Sequence, residues 1–133
     1  MYEVLLFFAD RVHPDEFLDL VEELGGVRPF EPRDGLLSRE RRHVWVTVPP
    51  STPSFFEVGD LEEYERKMGG PMLTWAQLSI SRTKGSDAVA MELIDAAARR
   101  WRMVVDNDRG KVSSVEELRG FPLDRLPFNG RSC

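Results

Sequence analysis

The sequence predicts an α+β fold: a ferredoxin-like βαββαβ antiparallel sheet with two helices on one face. An insertion over about 49–71 separates the second and third strands, and a short helical extension follows over about 107–133, all within a single domain 1–133. Three observations carry this expectation. Tyr2–Ala9 is apolar on both alternating sets apart from Glu3, as in a strand covered on both faces. His43–Pro49 and Thr74–Arg82 alternate apolar with polar residues, as in strands. Two helical stripes lie between the strands, one in each half of the chain.

Taken in order, Tyr2–Ala9 is the central strand. Pro14 then opens a helix at a favoured first position, and Phe17, Leu18, Leu20, Val21 and Leu24 recur at helical spacing until Gly25-Gly26 stops them. Arg33–Arg42 is polar and reads as a loop or hairpin. In the second strand Val44, Val46 and Val48 point one way and His43, Trp45 and Thr47 the other, before Pro49-Pro50 ends it. Asp60 and Glu63 have capping-box spacing for a short helix to Met68 inside the insertion.

The third strand places Ala76, Leu78 and Ile80 on one face and Trp75, Gln77 and Ser79 on the other. Ser86 or Asp87 caps the long helix, whose stripe is Val89, Ala90, Leu93, Ile94, Ala97 and Trp101. Met103–Asp106 is a short last strand. The residues from Asp106 to Gly110 form a turn, and Ser114 with Glu117 reads as a second capping box.

Composition narrows the function classes. The chain has 133 residues, a formal net charge of −5, and no apolar run near the length of a membrane span. An acidic balance argues against nucleic acid, because phosphate binding needs a clustered basic face. Its one cysteine, Cys133, excludes an intramolecular disulfide and fits a reducing, cytoplasmic setting. Acidity concentrates on the first helix, where Asp15, Glu16, Asp19, Glu22 and Glu23 form a candidate surface for a basic protein partner.

The sheet face opposite the two helices carries the second set of candidates. His43, Trp45, Trp75 and Gln77 share it, and large aromatic residues on an open sheet face cost free energy unless something covers them. The cover is the insertion, through Phe55, Phe56, Leu61 and Tyr64, or else a second subunit in a homodimer, a partner protein or a ligand.

No cofactor, metal site or catalytic constellation is expected, and each candidate motif has a plainer structural explanation. Asp106, Asp108 and Glu117 fall near calcium-loop spacing, but Lys111 stands where that loop requires glycine. Lys84-Gly85-Ser86 lacks phosphate-loop spacing and suits a turn and helix cap. His13 suits a cap before the first helix. Paired acids such as Glu62-Glu63 and Glu116-Glu117 suit solvated helix faces, and a thiol at the chain end, Cys133, is poorly placed to act as a nucleophile.

Three function classes follow. The first is an acidic protein-interaction module, of which a bacterial toxin-neutralising immunity protein is an example. The second is a dimeric small-ligand-binding or sensing domain using the aromatic face. The third and weakest is an enzyme with His43 as acid/base beside Glu57 or Asp60.

Overall fold

The computed structural model describes residues 2–28, 33–49, 58–106, 112–114 and 116. The chain runs β1 (Tyr2–Phe8), α1 (Pro14–Glu23), β2 (Asp34–Arg39), β3 (Arg42–Thr47), α2 (Val58–Met68), β4 (Thr74–Ile80), α3 (Ser86–Ala98), β5 (Met103–Asp106) and β6 (Val112–Ser114). All six strands join one sheet in the order β2-β3-β4-β1-β5-β6, and every pairing is antiparallel.

The class is therefore α+β on an antiparallel sheet, but the succession is not the six-element βαββαβ that the sequence predicts. Two strands are added, beside the insertion helix that the sequence predicts, and the reason is local. Glu40 takes a left-handed conformation, φ 59°, so Asp34–Arg39 folds back on β3 as a paired strand. At the far edge Val112–Ser114 pairs with β5, so Ser114 ends a strand. Residues 107–111 and 117–133, including the predicted turn, Glu117 and most of the C-terminal extension, lie outside the described residues.

β1 sits between β4 and β5 and is buried on both faces because both of its side-chain sets are apolar. Its even set, Val4, Leu6 and Phe8, meets Phe17, Leu18 and Val21 of α1 and Leu93, Ile94 and Ala97 of α3 in the main core. Val44, Val46, Ala76, Leu78 and Ile80 complete that core from β3 and β4, the face that their alternation assigns to the helices. Trp101 lies beyond the end of α3 yet packs on both Phe8 and Phe17. The odd set, Leu5 and Phe7, faces the other way into a second cluster under α2.

α1 begins where His13 caps it. His13 Nδ1 accepts from the Asp15 amide at 3.1 Å, and Glu16 Oε1 accepts from the His13 amide at 3.2 Å, a reciprocal capping box. α3 starts differently from expectation. Gly85, at φ 91°, makes the turn without any side-chain cap, while the Ser86 hydroxyl points inward to Ser81 Oγ at 2.6 Å and Asp87 Oδ1 accepts from the adjacent Ala88 amide. α2 begins at Val58, so Asp60 falls inside its first turn and not at the cap.

After α1 the backbone reverses tightly. The Gly26 amide donates to the Val21 carbonyl at 2.8 Å, and a Cβ at Gly26 would lie 2.5 Å from Val21 Cγ1 and 2.7 Å from the Leu36 carbonyl oxygen. The Leu36 carbonyl oxygen, and that of Val21 at 2.8 Å, cannot withdraw without moving the backbone of β2 or α1. Gly26→Ala is expected to cost about 1–3 kcal/mol by overpacking, read as a fall in Tm.

Candidate functional site

The sheet face opposite α1 and α3 is half covered. Register places Trp75 beside Phe7, and α2 lies over both: Tyr64 stacks on the Phe7 ring with centroids 4.5 Å apart, and Met68 joins the same cluster. Trp75 is 9% exposed. Trp45 is paired with Ser79 further out on the sheet and remains 39% exposed. The insertion thus covers one tryptophan and leaves the other open, through Tyr64 and Met68. Phe55, Phe56 and the Leu61 side chain lie outside the described residues.

The four residues predicted on this face differ in how far they are covered. Gln77 and His43 are half-buried, and the His43 ring shares a 2.9 Å hydrogen bond with Ser38 Oγ across the β2–β3 hairpin. Its candidate acidic partners, Glu57 and the Asp60 side chain, lie outside the described residues.

The acidic face of α1 is answered from within the molecule. Asp15, Asp19 and Glu22 stand at helical spacing on one side, and Arg28, carried past them by the turn at Gly25 and Gly26, bridges all three. Desolvation lowers the Arg28 pKa, but the hydrogen bond and charge of Glu22, with those of Asp19 and Asp15, outweigh it and raise the value overall. Glu23 pairs with Arg100 at 2.5 Å, and Glu16 serves the capping box. All five carboxylates remain exposed, yet none presents a bare charge.

Among the described residues no group of three His, Cys, Asp or Glu side chains is placed to hold a metal ion. Asp106 is turned into the structure, where Tyr64 donates to its Oδ2 at 2.5 Å, while Asp108, Glu117 and Cys133 lie outside the described residues. At Lys84-Gly85-Ser86 the loop is closed by Arg42, whose Nε donates to the Lys84 carbonyl at 3.2 Å.

A cleft of about 640 Å³ lies at the end of the sheet where β1 leads into α1. Four stretches of chain distant in sequence are pinned to form it. The Thr74 hydroxyl accepts from the Val12 amide at 3.0 Å and donates to the Asp10 carbonyl at 3.1 Å, fixing the β1–α1 loop to the start of β4. Val48 and Arg33 are tied twice, by Val48 N–H to the Arg33 carbonyl at 2.9 Å and by Arg33 Nη1 to the Val48 carbonyl at 3.3 Å. Leu73 N–H donates to the Phe8 carbonyl, and Glu65 of α2 accepts from the Met72 amide at 2.9 Å.

The lining is divided by chemistry. Arg11, His13, Glu16 and Arg33 supply polar groups, and Val48, Pro49, Met72, Leu73 and Trp75 supply an apolar wall. Trp75 is the only one of the four predicted face residues in it. Sequence reasoning missed the cleft because its parts come from positions near 11–16, 33, 48–49 and 72–75, which no motif spacing links. Comparison of the chain with protein-family models, curated proteins and solved structures gives no match.

Proposed function

We propose that the protein is a small-ligand-binding domain whose site is the cleft between the β1–α1 loop, the end of β3 and the start of β4. The observation that carries this reading is the cleft's division into an apolar wall and a few convergent polar groups held by hydrogen-bonded backbone. Its volume of about 640 Å³ suits a small organic molecule. On the same reading β3-β4-β1-β5 with α1 and α3 forms a ferredoxin-like core, which β2, β6 and α2 elaborate. The single cysteine supports a cytoplasmic location.

Thermal unfolding against a metabolite panel tests the reading. A ligand present at ten times its Kd adds about 1.4 kcal/mol and raises Tm by roughly 5 °C for a chain of this size. At least one metabolite is expected to do so, and Leu73→Trp, which fills the cleft from an exposed position, is expected to abolish the shift. A flat response across the panel, or a shift that survives Leu73→Trp, counts against the cleft as the site.

A second reading, an acidic module for a basic protein such as a toxin, is supported by the exposure of Asp15, Asp19, Glu22 and Glu23. Arg28 weakens that support, since a partner's cations must displace it. A basic partner that binds this face is expected to bind Arg28→Ala more tightly and to be lost on Glu22→Lys. The reverse order rules the face out.

A further inference from the structure

We propose that the cleft selects an organic monoanion, a carboxylate carried on a compact apolar body. This rests on the ligand-binding reading above and specifies its ligand class.

Charge is the first argument. In a chain of net charge −5, Arg28, Arg39, Arg100 and Arg102 each meet a carboxylate. Arg11 and Arg33, which line the cleft, have no carboxylate partner among the described residues. Arg33 makes only the Val48 carbonyl contact there, so its guanidinium keeps donors to spare. Guanidinium groups bind carboxylates with paired, charge-assisted hydrogen bonds, and such groups held beside an apolar wall are suited to that recognition.

The balance within the cleft sets the ligand's charge. Among the described residues that line the cleft Glu16 is the one carboxylate, and its Oε1 is already held by the His13 amide. Two guanidinium groups against one carboxylate leave a single positive charge in surplus, which one carboxylate ligand neutralises and a dianion overshoots. His13 also lines the cleft, and because its Nδ1 accepts from the Asp15 amide, Nε2 is the ring nitrogen left to meet a ligand.

The apolar wall sets the ligand's body. Leu73, 48% exposed, stands in this wall with Val48, Pro49, Met72 and Trp75. A large apolar side chain left in water is a cost that an apolar ligand body removes and an inorganic anion does not. Cations meet two like charges. A neutral isostere retains the wall but loses the guanidinium contacts.

Calorimetric titration of the full chain with benzoate, hexanoate, benzamide, hexanamide, benzylamine and inorganic phosphate tests the proposal. At least one of the two carboxylates is expected to bind, with its amide weaker by about tenfold or more. Arg11→Gln and Arg33→Gln are each expected to weaken that carboxylate by about tenfold, Arg11→Gln leaving Tm unchanged because its side chain is exposed and makes no pinning contact among the described residues.

Equal binding of carboxylate and amide overturns the anion inference and leaves the ligand-binding reading standing. Phosphate binding more tightly than either carboxylate overturns the apolar body. If no probe of any charge binds at about 10 mM, a concentration that detects millimolar affinities, both the inference and the reading beneath it fall.

Discussion

Replacing Phe8 by alanine is expected to remove about 3–5 kcal/mol of stability and to lower Tm by roughly 10–20 °C. Phe8 is fully buried, and its ring meets Phe17 of α1 edge-on at 5.7 Å and Trp101 at 5.8 Å. Phe17 and Trp101 are themselves stacked at 6.1 Å. These three rings tie the central strand to the first helix and to the segment after α3, so truncating Phe8 leaves a void bounded by groups that cannot collapse into it independently. Phe8→Leu keeps most of the volume and is expected to recover most of the loss. Denaturant unfolding measures both, and a loss below about 1 kcal/mol for the alanine variant would mean that the aromatic cluster does not organise the core.

The second large effect is expected at Tyr64, and it is expected to be regional. Tyr64→Ala removes a ring stacked on Phe7 and the donor to Asp106, which is only 7% exposed. A buried aromatic truncation of this kind costs about 3–5 kcal/mol, and α2 rests on the sheet through Tyr64 and Met68. α2 is therefore expected to lose its hydrogen-exchange protection while β1 and β4, held by the main core from the other face, keep theirs. Tryptophan emission is expected to shift red as Trp75 becomes wet. Tyr64→Phe keeps the stacking and removes only the hydroxyl, and is expected to cost about 1–3 kcal/mol because the buried carboxylate loses a donor. Unchanged exchange in α2 for the alanine variant would show that the helix is anchored elsewhere.

Because Glu65 of α2 also accepts from the Met72 amide at the cleft, and Trp75 belongs both to the α2 cluster and to the cleft wall, the two regions are coupled. Loosening α2 in Tyr64→Ala is therefore expected to weaken the cleft's ligand as well.

What could be read directly from the sequence concerned single elements. Both side-chain sets of β1 are apolar, and the strand is covered on both faces for that reason. The valines of β3 and the Ala76, Leu78, Ile80 set of β4 face the main core as their alternation requires. Pro14 and the Gly25-Gly26 pair bound α1 as their backbone preferences dictate. At the start of α3 the expected cap residue, Ser86, is present, but its side chain is engaged by the Ser81 hydroxyl just past β4.

The candidate site was much less legible. Trp45 and Trp75 hold equivalent places in two alternating strands, yet one is covered and the other is not. Only pairing decides this, because β4 lies beside β1 under α2 while β3 lies one strand further out. The α1 carboxylates looked like an open acidic surface, and the chain reversal at Gly26 that delivers Arg28 to them cannot be inferred from their spacing.

The sequence by itself determined the α+β class, the central place of β1 and the faces of β3 and β4, because these follow from the fixed periods of strand and helix acting over a few residues. Tertiary structure alone decided which tryptophan is covered, which acids are neutralised and where a cleft opens. Each of these depends on contacts between residues tens of positions apart, whose geometry is set by strand order and register.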